Sequence, residues 1–282
     1  MDEIFSGLGV QLGVSRTVRD SAALLDAVQG ILPGEPYVTG APSHSWLSQV
    51  SQEPGQLRIG VQRAACNGAR PVPAIDAALD ATVRLLESLG HHVEEVQPAL
   101  GVSWEAFVHA NASIWCANLV PWIDALAQES GRAVSLETLE TATLACYRHG
   151  KMVSAVDFVA ALDVRNTVTR HAGTVLGQYD VLLTPTMPDL PWQLGRYGEK
   201  EEQLDGVGWT ARLFEHSPYT PLANVAGLPA MSVPLGMSNE GLPIGMQFMA
   251  GYAKDGVLLR LAGQLERAAP WVQRRPSVWA GN

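Results

Sequence analysis

Residues 220–236, TPLANVAGLPAMSVPLG, and residues 240–266, EGLPIGMQFMAGYAKDGVLLRLAGQLE, decide how this chain folds. Ala230 to Pro234 and Ile244 to Ala250 are short runs of apolar residues, bounded on both sides by Gly and Pro, and read as strands. The turn-rich SNEGLP between them, residues 238–243, joins the two as a hairpin. From Asp255 to Ala268 the apolar positions recur at helical spacing, so the segment closes as a helix.

Working toward the N-terminus, Asp180 to Leu183 reads as a strand of the buried type. It ends in Thr184-Pro185-Thr186, where proline removes a backbone donor and is expected to stop the ladder. A long loop is expected to follow. Before it, Trp104 to Leu176 is rich in Ala and Leu and reads as helices interrupted near Gly131 and Gly150. Leu57 to Val61, Ala74 to Leu89 with Gly90 as its cap, and His92 to Val96 together read as a βαβ-like unit. Thr17 followed by Asp20 has the form of a helix start, and Val18, Ala22, Leu25 and Val28 continue it until Gly30. Residues 31–46, ILPGEPYVTGAPSHSW, are loop-like. Strands interleaved with helices throughout predict an α/β sandwich with a mixed sheet.

Composition narrows the function. Of the 282 residues, 47% are hydrophobic and 17% charged, as in ordinary globular proteins, with a net charge of -9. That balance gives no electrostatic reason to expect a nucleic acid or an anionic membrane as partner. No stretch approaches the roughly 20 consecutive apolar residues of a membrane-spanning helix, and the start lacks the pattern of a signal peptide. A cytoplasmic location is the expectation. Cys66, Cys116 and Cys146 form no CxxC pair, and His91 and His92 have no HExxH spacing, so neither a metal site nor a cofactor is expected.

A nucleophilic hydrolase needs a serine, cysteine or threonine beside a base and near backbone donors. No GxSxG elbow and no GGSS or GSS run occurs. The chain has three lysines, Lys151, Lys200 and Lys254, in surroundings that read as solvated surface. Glu94-Glu95 and Glu199 with Glu201-Glu202 are local charge runs of the kind found on solvated faces.

The opening segments resemble the amidase-signature family, in which a similar NxxGxPAxSxP segment precedes a GLPxGxQ strand and a final helix. LGVSRTVRDSAALLDAV, residues 12–28, and YDVLLTPT, residues 179–186, are similar to two further stretches of that family in the same order. LERAAPWVQRRP, PGQLRIGV and LGHHVEEV are similar to bacterial enzymes related to 6-aminohexanoate cyclic-dimer hydrolases. The resemblance implies an amidase-signature α/β/α sandwich with a mixed sheet, and hydrolysis of a carboxamide C-N bond in a small-molecule amide.

Members of that family use a Ser-cisSer-Lys triad, and those parts precede the residue that matches Leu12. The expectation is therefore that residues 1–282 are the C-terminal part of a single amidase domain, incomplete and inactive alone, with no catalytic residue to carry over. Two alternatives stay open: a non-catalytic ligand- or partner-binding module, and one piece of a split amidase. Self-association or a complementing chain is expected in either case, because a cut sheet exposes its edge.

Five residues are substrate-binding candidates: Cys116, Thr184, Thr220, Asn224 and Gly227. The loops at Thr184 and at Thr220 to Gly227 follow sheet elements, where α/β folds place ligand contacts, and the resemblance puts both beside the acyl pocket. Cys116 occupies a place similar to a pocket cysteine of the cyclic-dimer hydrolases, or else is a small buried hydrophobe. Asn224 either positions substrate or satisfies backbone groups beside Gly227 and Pro229. Trp115, Trp122, Trp192 and Trp209 could line an apolar pocket or simply pack. Arg16, Arg19 and Asp20 read as structural pairing at a helix start.

Overall fold

Val181 to Leu183 are fully buried and alternate between two apolar layers, which is what a strand covered on both faces requires. This strand is the centre of a five-stranded mixed sheet in a computed structural model that describes residues 4–31, 33–34, 42–198, 203–276 and 278. In chain order the strands are β1 (Arg58–Val61), β2 (His92–Glu95), β3 (Val181–Pro185), β4 (Ala230–Met237) and β5 (Pro243–Ala250). They lie side by side as β2-β1-β3-β5-β4. β1 is parallel to β2 and β3, whereas β5 is antiparallel to β3 and β4.

Helices cover both faces. Val181, Leu183 and Phe248 point into one layer, under α1 (Val18–Val28), α3 (Pro73–Ser88) and α9 (Asp255–Ala268). Leu182 and Met249 point into the other, under α4 (Trp104–Ser130), α6 (Ala155–Val175), α7 (Gly206–His216) and α8 (Pro221–Ala226). The expected α/β sandwich is therefore present, and β1, α3 and β2 form the expected βαβ unit.

Local chemistry sets the helix ends. The Thr17 side chain accepts from the Asp20 amide at the start of α1, and Ser154 with Asp157 form a reciprocal capping box at the start of α6. α4 starts under Ser103 and ends at Gly131, whose φ of 66° is the left-handed conformation that glycine adopts without strain. The breaks expected near Gly131 and Gly150 fall where α4 gives way to α5 (Thr141–Gly150), and α5 to α6. At the start of α1, Arg19 pairs with Asp20 at 3.0 Å, and Arg16 donates to the carbonyl of Arg274.

Three expectations need correction. β3 does not stop before Pro185: it runs through that residue, paired with Met246 of β5, and the Thr186 amide still donates to the Gly245 carbonyl. Alternation turns the missing donor of Pro185 toward β1, whose pairing has already ended at Val61, so nothing is lost. Residues 187–229 are not one loop, because α7 and α8 lie within them. The two glycines that open α7 give it little intrinsic helicity; packing of Trp209 and Phe214 compensates. The segment read as loop over 31–46 ends in a one-turn helix, α2 (Trp46–Gln49), capped by Ser45. Its middle, with Lys200 and Glu199, Glu201 and Glu202 elsewhere, lies outside the described residues.

Candidate functional site

A cavity of about 640 Å³ opens in the helical layer over Leu182 and Met249. α4 contributes Asn111, Trp115, Leu119 and Trp122, which recur at spacings of three and four and so share one helix face. Thr143 and Cys146 of α5 stand beside them, with Trp209, Leu213 and Phe214 of α7 opposite. Thr220, Pro221 and Asn224 complete the lining. The walls are mostly aromatic and aliphatic with a few polar groups, the usual make-up of a small-molecule site.

Residues 4–9 cross this layer. Phe5 stacks on Trp115 with ring centroids 4.4 Å apart and meets Trp122 edge-on, while Leu8 is buried and lines the cavity. Ser6 bonds Asn118, and Arg165 donates to the Ser6 carbonyl. Phe5 and Ser6 both have φ near 50°, a left-handed conformation that these contacts hold in place.

The five residues singled out by sequence separate into two groups. Thr220 and Asn224 line the cavity; Asn224 donates through Nδ2 to the Leu8 carbonyl at 3.0 Å, and Thr220 donates to the Ser217 carbonyl. Cys116, Thr184 and Gly227 do not line it. Gly227 is exposed at the end of α8, where its φ of 63° caps the helix. Thr184 is fully buried inside the sheet, where its hydroxyl donates to the Pro185 carbonyl and accepts from Gln247 Nε2 at 3.1 Å. Gln247 also donates to the Tyr219 carbonyl, and the Tyr219 hydroxyl donates to the carbonyl of Arg63.

Cys116 is also fully buried, and Cys146 takes the place on the cavity wall in front of it. Interaction between the two thiols, with burial added, pushes Cys116 above the ordinary thiol range, and the same interaction holds Cys146 below it although burial opposes the shift. Sequence alone gave no reason to prefer Cys146, since the two cysteines are thirty residues apart and only the packing of α5 on α4 brings them together.

A second hollow of about 450 Å³ lies at the end of β3, where the hydroxyls of Thr186 and Ser232 bond at 2.7 Å. His216 borders it and meets Trp192 in a tilted ring contact, centroids 4.1 Å apart. His216 Nδ1 and Trp209 Nε1 are buried and have no hydrogen-bond partner among the described residues.

Several other titratable residues weighed as chemistry have structural partners. Lys151 Nζ donates to the Tyr147 hydroxyl at 3.3 Å, Glu94 pairs with Arg58, and Glu95 shares Arg63 with Asp76 and Asp80. His91 is a buried structural residue: its Nδ1 accepts from the Leu57 amide, leaving Nε2 to donate to Gln264 Oε1.

Helical layers on both faces of a mixed sheet are what this chain has in common with a family of amide hydrolases. The Amidase family matches residues 4–259, and the chain belongs to that amidase-signature family. It is 32% identical to the 6-aminohexanoate-cyclic-dimer hydrolase of Paenarthrobacter ureafaciens and 32% identical to the enzyme of the same name from Pseudomonas sp. strain NK87, over 94% of this chain in each case. It spans 54% of the length of both, about half. A solved structure of a 6-aminohexanoate cyclic dimer hydrolase with its substrate superposes with a TM-score of 0.85 at 30% identity, over 93% of this chain and 55% of that one.

Proposed function

We propose that this chain serves the hydrolysis of carboxamide C-N bonds, with the cavity between α4, α5, α7 and α8 receiving the apolar body of a small amide. The observation that carries the reading is an aromatic-walled hollow of about 640 Å³, large enough for such a molecule, in a member of the amidase family. Relatives named for a cyclic dimer of 6-aminohexanoate make a diamide with a hydrocarbon ring the first substrate to try.

The nucleophilic serine, the bridging serine and the lysine come, in this reading, from outside residues 1–282. In support, Lys151 bonds a tyrosine, and no hydrogen bond joins a lysine to a serine among the described residues. Hydrolysis then needs a further stretch of polypeptide, whether in the same chain or in a complementing one.

Two measurements on the 282-residue chain test the two halves of the proposal. Calorimetric titration with the cyclic dimer of 6-aminohexanoate is expected to give saturable binding that Leu213→Trp, which fills the cavity, abolishes. Absence of binding by any carboxamide tried would remove the cavity from the reading. A fluorophosphonate probe is expected to leave the chain unlabelled, and serine labelling with amine release would show that a triad is present after all. Binding without labelling also fits a ligand-binding module, which restored hydrolysis on adding the complementing polypeptide would rule out.

A further inference from the structure

We propose that Cys146 and Cys116 form a hydroperoxide-responsive dithiol in the cavity wall, and that its oxidation ties α5 to α4 through a disulfide. The proposal does not depend on what the cavity binds.

Close packing of α5 on α4 sets the two cysteines on facing sides of one helix contact. Cys146 is half-buried and faces the cavity, so a small oxidant has access to it. Cys116, on α4, is fully buried. One turn beyond Cys146, Gly150 is pressed so closely on α4 that a Cβ there would lie 2.1 Å from the Cys116 carbonyl oxygen. The first residue of α7 confirms the contact from another side: a Cβ on Gly206 would meet His149 Cβ at 2.5 Å and Cys116 Sγ at 3.2 Å. α5 therefore presents the face carrying Cys146, His149 and Gly150 to the side of α4 that carries Cys116.

Exposure assigns a different role to each sulfur. Cys146 lines the cavity and Cys116 does not, so an oxidant meets Cys146 first, and its thiolate, which the neighbouring Cys116 favours, is the nucleophile. Attack on the terminal oxygen of a hydroperoxide breaks the O-O bond, leaves Cys146 as the sulfenic acid and releases an alcohol or water once solvent supplies a proton. The Cys116 sulfur then attacks the Cys146 sulfur. A disulfide forms, the sulfenic oxygen leaves as water with the Cys116 proton, and the two cysteines have together given two electrons to the hydroperoxide. A dithiol reductant reverses the step by exchange.

Cys66 serves as an internal control. Burial pushes its thiol up despite a hydrogen bond from Gln62, and its other sulfur contact is the carbonyl of Pro98. It has no neighbouring thiol of its own.

The test is peptide mapping by mass spectrometry of the folded 282-residue chain, exposed to hydrogen peroxide at neutral pH and then alkylated. The expected result is a peptide pair joined through Cys116 and Cys146, an intact mass lower by two hydrogens before alkylation, and Cys66 alkylated as before. In Cys116→Ser the expected product is a sulfenic acid on Cys146 that dimedone traps. In Cys146→Ser, Cys116 should stay alkylatable after unfolding. Peroxide-treated wild-type chain in which Cys146 is still fully alkylated, or in which Cys66 is oxidised first, would overturn the proposal without recourse to any variant.

Discussion

Tyr219 shows how a single side chain can connect the site to the sheet. It is 3% exposed, its hydroxyl donates to the Arg63 carbonyl, and its own carbonyl accepts from Gln247. Burial pushes its phenol up to about 12 from 10.0. Because the folded pKa is above the unfolded one, this stabilisation is complete below pH 10 and is lost as pH rises toward 12. The loss amounts to roughly 2 to 3 kcal/mol. Thermal melts of Tyr219→Phe should begin less stable at neutral pH, for want of the hydrogen bond, and fall less steeply than wild type between pH 10 and 12. Parallel slopes would mean that Tyr219 is not the titrating group. At this scale the segment bounded by Pro221 and Gly227 was recognisable from its own residues, and Thr220 and Asn224 within it lie on the cavity wall. Cys116 takes the buried-hydrophobe alternative and Thr184 is buried in the sheet, surroundings made by α5 and β5, far away in the chain.

Helix α9 carries a prediction whose sign goes against propensity. Gly263 lies inside it, and on an exposed helix Gly→Ala would stabilise by up to about 1 kcal/mol. Here an added Cβ would lie 2.0 Å from the Val50 carbonyl oxygen, a backbone atom just beyond α2. Overpacking of this kind costs roughly 1 to 3 kcal/mol, so Gly263→Ala should lower the melting temperature. An unchanged or higher melting temperature would show that residues 49–53 can move aside. The elements with strong periodicity, the five strands, α1, the helices from α3 to α6 and α9, were legible in the sequence. α7 and α8 were not, since one begins with glycines and the other has six residues, and the apolar layer they complete holds both in shape.

Across the whole molecule, the sheet ends in β2 on one side and β4 on the other. β4 carries Pro234 at a bulge, and Arg274 donates to the Pro234 carbonyl, devices that blunt a strand edge. Val10, Leu12 and Val14 are left exposed in a row at 75%, 56% and 104%. We expect this stretch to drive association of the 282-residue chain: sedimentation velocity should show mass rising with concentration, and Leu12→Glu with Val14→Glu should return it to a monomer. A monomer at every concentration in the unchanged chain would show that the stretch is harmless. The location of the cavity has a separate consequence for evolution. Its helical walls, from α4, α5, α7 and α8, belong to the layer on one face, while α1, α3 and α9 hold the sheet from the other. Substitutions on α4, α5 and α7 can therefore alter which molecules fit while the opposite layer goes on stabilising the fold, so descendants of one such protein can diversify in ligand preference before they lose their shape.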